Sequence, residues 1–204
     1  MTGAFIAAAG DSISLPPVPQ KGDVSVEEAV WLRRSVRKFS PEPLSTDAVS
    51  RLLWSAQGIT DARNGLRSAP SAGATYPLEL YVATAEYLAR YVPASHSLIV
   101  TAREDVRRAL AAAAFGQDWV AEAPLVFVFT AVVARTARRY DERANLYVPI
   151  EVGCASENLM LEAAALGLGS TAVGAFSEKE TSRALKLPKG WDPYLIVPVG
   201  VPSK

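Results

Sequence analysis

Residues 125–133 (Leu-Val-Phe-Val-Phe-Thr-Ala-Val-Val) form an almost unbroken apolar run. Side chains alternate between the two faces of a strand, so a run without polar alternation predicts a central strand buried on both faces. Shorter runs at 78–84, 87–92, 97–101, 170–173 and 194–199 read as further strands, with Pro93-Ala94-Ser95-His96 turning a hairpin between the second and third. Between them lie helical patterns. Residues 26–34 carry Ser25 as N-cap and Glu28 three positions on, the signature of a capping box. Residues 48–56 start at Ser45 or Thr46 and stop at Gly58. Others read at 103–114, 118–122, 134–141 and 178–185, and the longest at 148–166 closes on Gly167. Hairpin-like strands mixed with scattered helices point to α+β and not to a regular βαβ repeat.

The chain has 204 residues, enough for one domain with a sizeable core. Residues 1–24 are small and Pro-rich and read as an irregular N-terminal arm, with the folded domain from 25 to 204. The apolar start lacks a basic leading region, since the first cation is Lys21, so it reads as an arm and not a signal peptide. No apolar run reaches membrane-spanning length, and a cytoplasmic protein is expected. With 21 basic and 21 acidic residues the net charge is zero, which argues against nucleic acid or an anionic membrane as the main partner. One Cys and one His exclude an intrachain disulfide and a Cys/His zinc site. Cys154 reads as a buried thiol and His96 as a structural turn residue.

In so balanced a chain, Arg33-Arg34-Ser35-Val36-Arg37 stands out: three guanidiniums and a hydroxyl within five residues. The planar fork of Arg matches phosphate oxygens, so the cluster asks for an anionic partner. The competing reading is a solvated basic helix end. Residues 68–77, a loop of small residues, would let a backbone approach a flat ligand. Gly167-Leu168-Gly169 invites a dinucleotide reading but follows a helix and precedes a strand, the reverse of what phosphate at a helix N-terminus needs; Gly167 reads as a C-cap. Glu151, Glu157 and Glu162 do not share one helix face and default to solvation or salt bridges. A chain this poor in acid–base groups borrows its chemistry from a cofactor or has none.

Taken in order, these segments resemble the nitroreductase-like flavin family, and within it the SagB-type dehydrogenase branch. The resemblance rests on Arg33-Arg34-Ser35-Val36-Arg37 and Leu52-Leu53-Trp54-Ser55-Ala56-Gln57-Gly58-Ile59. It continues through Ala69-Pro70-Ser71-Ala72-Gly73-Ala74-Thr75-Tyr76-Pro77, Gly116-Gln117-Asp118-Trp119-Val120 and Glu122-Ala123-Pro124. It ends with Glu157-Asn158-Leu159-Met160 through Gly169 and Val197-Pro198-Val199-Gly200-Val201-Pro202. It implies a mostly antiparallel sheet flanked by helices and a homodimer with FMN at the subunit interface. It implies that Arg33, Arg34, Ser35 and Arg37 hold the phosphate, the ribityl chain and the N1/O2 edge of the ring. Pro70, Ser71, Ala72 and Gly73 would come from the other subunit. Gln117 would face the ring, and Val173, Gly174 and Ala175 would meet its far face or N5 edge through backbone groups. Family members often carry basic residues beyond the last strand that reach the phosphate, and Lys204 stands in that region. Two departures from the broader pattern are Ala74 in place of Asn and Gly174-Ala175 in place of Glu-Gly.

The expected activity is hydride transfer from a reduced nicotinamide, NADH or NADPH, to flavin N5 and on to a small organic oxidant by ping-pong exchange. One alternative is a SagB-type azoline dehydrogenase acting on a modified peptide, with Tyr140, Tyr147 or Lys38 near the substrate. Another is a flavin-storage module covered by Trp119, Phe115 or Tyr76.

Overall fold

The computed structural model describes residues 10–203. In chain order the strands are β1 (Ser12–Ser14), β2 (Ile59–Asp61), β3 (Leu66–Arg67), β4 (Leu78–Ala83), β5 (Leu88–Val92), β6 (Ser97–Ala102), β7 (Leu125–Ala131), β8 (Gly169–Ser170) and β9 (Asp192–Gly200). The helices are α1 (Val26–Leu32), α2 (Thr46–Gln57), α3 (Arg107–Ala113), α4 (Trp119–Glu122), α5 (Val133–Tyr140), α6 (Ala144–Ala165) and α7 (Glu178–Ala184).

Seven strands form one sheet in the order β1-β6-β5-β4-β7-β9-β8, and every adjacent pair is antiparallel. β7 is central and every residue of it is buried, as its apolar run predicts. Its two faces serve two cores. Leu125, Phe127 and Phe129 pack with Leu52 and Leu53 of α2 and Val152, Ala155 and Leu159 of α6. Val126 and Val128 pack with Leu110 of α3, Val120 of α4 and Leu185 just beyond α7. The single polar residue, Thr130, donates its hydroxyl to the Glu79 carbonyl at 2.9 Å, so its burial leaves no open hydrogen bond. The expected α+β sheet flanked by helices is therefore the observed fold.

Several local expectations are corrected. Residues 12–14, inside the stretch read as an irregular arm, pair with β6 as an edge strand, Ile13 opposite Leu98. The remainder of that reading, over residues 1–9, and Lys204 lie outside the described residues. Between α2 and the small-residue loop, where the sequence predicts no strand, β2 and β3 pair as a short hairpin, Ile59 opposite Arg67. α3 begins at Arg107, after a turn in which Asp105 binds the Arg107 backbone and guanidinium. α6 begins at Ala144, four residues before the expected start, and runs through Pro149. Proline in a helix interior removes one backbone bond and crowds the preceding turn, so sequence reasoning stops there. The neighbouring turns are anchored by the buried residues Ala144 and Val148.

Candidate flavin-type site

The Arg33–Arg37 segment is positioned by the two elements it joins. Ser25 caps α1, its hydroxyl accepting from the Glu28 N–H at 3.2 Å, and the helix closes at Arg33. Arg34 turns back over the helix end, where its Nη1 donates to the carbonyls of Trp31 (2.9 Å) and Arg33 (2.6 Å). The guanidinium thereby serves orphan carbonyls at the helix C-terminus, the role of a basic helix end. The chain then crosses to β8: Ser35 bridges Ser170, and the Val36 N–H donates to the Ser170 carbonyl at 2.9 Å.

That crossing depends on two glycines. Gly167, at φ 70°, ends α6: its N–H donates to Ala164 and the Leu168 N–H to Ala163, a Schellman closure. Gly169 admits Val36, since a Cβ at Gly169 would lie 2.6 Å from the Val36 Cβ. The glycine-rich stretch is thus a helix stop followed by a close crossing, and not a phosphate turn.

Arg33 extends toward Glu157 of α6 at 3.5 Å. Arg37 lies over the Trp119 ring at 5.6 Å, and no carboxylate among the described residues pairs with it. Two residues before Trp119, Gln117 donates Nε2 to the carbonyls of Ala114 (2.9 Å) and Ala175 (3.0 Å). Val173 is buried and bridges Ile196 of β9, which fixes Gly174 and Ala175 as exposed backbone beside it. Ser35 meets β8 at Ser170, Arg37 meets Trp119, and Gln117, two residues before Trp119, meets Ala175, so these residues with Val173 and Gly174 form one neighbourhood. Arg33 joins it only along the chain, its side chain turned to Glu157. The features of this neighbourhood fit an anionic, flat group. Ser35 and Arg37 are exposed donors, and a Cβ at Gly174 would meet nothing within 4 Å. The buried Trp119 Nε1 has no acceptor among the described residues.

The other predicted segment, Pro70, Ser71, Ala72 and Gly73, is held elsewhere, against α5 and α6. Gly73 sits at φ 59°, and a Cβ there would lie 2.7 Å from the Tyr140 hydroxyl. Arg139 Nη1 donates to the Gly73 carbonyl at 3.2 Å. The Ser71 hydroxyl accepts from the Tyr76 N–H at 2.9 Å and donates to Glu151 Oε2 at 2.6 Å. Glu151 is buried, and its Oε1 has no partner among the described residues. Burial pushes its carboxyl up to about 7, although the Ser71 bond and the nearby Arg67 charge pull the other way.

Of the three helix carboxylates, Glu157 and Glu162 do pair, the latter with Arg51 at 2.6 Å, but Glu151 is neither solvated nor in a salt bridge. Sequence reasoning missed its role because nothing in the helix pattern distinguishes it; the signal lies in Ser71, 80 residues away. His96 is structural, its ring bonded to the Ser50 hydroxyl (2.7 Å) and the Tyr91 hydroxyl (2.8 Å). Cys154 is half-buried. Among the described residues no cluster of His, Cys, Asp and Glu could hold a metal, and no helix is long and apolar enough to cross a membrane.

The frame is thus an antiparallel seven-stranded α+β fold with exposed Arg and Ser donors beside bare backbone. The chain belongs to the nitroreductase family, whose model matches residues 32–201, and it is an oxidoreductase of that family. A Methanocaldococcus jannaschii protein provisionally named a nitroreductase is 39% identical over 197 residues, spanning 94% of this chain and 98% of its own. A crystal structure from Ralstonia eutropha, also provisionally named a nitroreductase, superposes with a TM-score of 0.87 at 30% identity, covering 95% of this chain and 90% of that one. The NADPH:FMN oxidoreductase of Vibrio harveyi, solved with NAD+, shares the fold at a TM-score of 0.66 and 20% identity, over 88% of this chain and 69% of that one.

Proposed function

We propose that the protein is an FMN-dependent oxidoreductase that takes reducing equivalents from NADH or NADPH and passes them to a small organic oxidant by ping-pong exchange. The observation that carries this reading is the constellation around residues 33–37: Arg37 and Ser35 exposed without a carboxylate partner, beside the open backbone of Gly174 and Ala175. Arg33, Ser35 and Arg37 would hold the FMN phosphate and the polar edge of the ring, with Arg34 maintaining the helix end behind them. FMN, when bound, supplies hydride acceptance and release at N5. The chain's own part is to bind, to orient and to offer backbone groups at Val173, Gly174 and Ala175 and the amide of Gln117 near the ring. The Vibrio harveyi enzyme, named as an NADPH:FMN oxidoreductase, lends support from the same fold.

The reading includes a homodimer. Val26, Val30, Trp31 and Leu32 of α1 are all more than half exposed, as are Leu146 and Ile150 of α6, against which α1 packs. So large an apolar surface on two adjacent helices is the mark of an interface. Dimerisation would bring Pro70, Ser71, Ala72 and Gly73 of one subunit to the cradle of the other, which accounts for their separation within a single chain. Protein mixed with FMN should show bound-flavin absorbance that bleaches on anaerobic addition of NADH or NADPH. Bound flavin that stays oxidised would favour a storage module, and no bound flavin would overturn the reading.

A further inference from the structure

A cavity of about 290 Å³ lies between the β2–β3 hairpin, the starts of β4 and α5, and the end of β5. Its polar walls are Gln57, Arg67, Glu79, Arg90 and Arg135. Glu79 accepts from Arg90 Nη1 at 2.8 Å and from Arg135 Nη2 at 2.5 Å, so one carboxylate serves two guanidiniums. The third cation, Arg67, has no carboxylate within ion-pairing distance among the described residues. Its Nη1 donates to Gln57 Oε1 at 2.6 Å, and its guanidinium stacks over the Tyr76 ring at 4.5 Å. That bond fixes the orientation of the Gln57 amide, and Nε2 of this buried side chain has no acceptor among the described residues. Glu79 is the one carboxylate bonded to these guanidiniums; even with Glu151 also attracting Arg67 from nearby, the three cations outnumber the carboxylates, and with an unused amide donor they make a half-buried wall of excess positive charge. Such an excess is costly unless an anion offsets it. The remaining lining, Leu78, Leu80, Tyr91, Val92, Pro93 and Ala94, is apolar apart from the Tyr91 hydroxyl, which is already bonded to His96.

We propose that this cavity binds a small organic anion, a carboxylate or phosphate ester with an apolar body, whose oxygens are held by Arg67 with Arg90 and Arg135. The volume suits a ligand about the size of a substituted benzene ring. Isothermal titration of the purified protein with benzoate and with phenyl phosphate, at fixed ionic strength, tests the assignment. Saturable binding of either probe is expected, and the probe that binds identifies the headgroup. Arg67→Met should weaken that binding at least about tenfold, the loss expected for a charge-assisted bond. Arg90→Gln should also weaken it, and serves if Arg67→Met does not fold. Arg33→Ala should leave it unchanged, which separates this cavity from the proposed FMN cradle. No binding of either probe, binding indifferent to both cavity variants, or binding removed by Arg33→Ala alone would overturn the proposal.

Discussion

Glu151→Gln probes how the loop at Ser71 is held. In the folded protein burial raises the Glu151 carboxyl from 4.5 to about 7. Below pH 4.5 the group is protonated whether the chain is folded or not, and it contributes nothing to pH dependence. Between 4.5 and about 7 the folded state keeps a proton that the unfolded chain has released, so stability falls as pH rises through this window. Above about 7 the loss is complete. Each tenfold change in proton affinity is worth about 1.4 kcal/mol, so the full loss is roughly 3 kcal/mol. Gln is neutral at every pH, and its Oε1 can still accept from Ser71 at the 2.6 Å contact. Urea denaturation of both proteins at pH 5, 6, 7 and 8 should show the variant near the wild type at pH 5 and about 3 kcal/mol more stable relative to it at pH 8. Taking the difference cancels the titration of all other groups. A difference that is the same at pH 5 and pH 8 would refute the reasoning, because it would mean that Glu151 ionises in the folded state as easily as in the unfolded chain.

Gly169→Ala forces a Cβ to within 2.6 Å of Val36 in a buried crossing. Overpacking of this kind costs about 1–3 kcal/mol, and because Val36 carries the Arg33–Arg37 segment, the variant should lose thermal stability and FMN retention together. Trp31, 78% exposed on α1, should be covered in the dimer. Trp31→Glu should shift the light-scattering mass from two chains to one and reduce FMN binding with it; a wild type that runs as one chain while holding FMN would overturn the two-subunit site.

The legible parts of the fold are those where one local signal decides. The apolar run of β7 leaves a strand only one way to be buried, and Ser25, Ser45 and Gly167 mark helix ends because each satisfies groups within a few residues. The start of α6 is hidden because Pro149 suits the first turn of a helix better than its interior, while the packing of Ala144 and Val148 that anchors it is tertiary. The same division runs through the site. Three arginines are visible in the sequence, but the sequence cannot say that Arg34 caps its own helix while Arg37 is left without a carboxylate. Gly169 reads as part of a glycine-rich turn, and only the approach of Val36 shows what the missing side chain is for. Glu151 reads as one of three helix carboxylates until Ser71 is placed beside it.

The central claim is that residues 33–37 hold a phosphate. Fluorescence titration of the protein with FMN and with riboflavin, which lacks only the phosphate, tests it most directly, using wild type, Arg33→Ala and Arg37→Ala. A charge-assisted bond to a buried phosphate is worth about 1.5–3 kcal/mol, so the wild type should prefer FMN by at least about tenfold. Each Arg variant should narrow that preference by weakening FMN and leaving riboflavin unchanged. Equal affinity for the two flavins in the wild type, or a preference for FMN untouched by either substitution, would contradict the account.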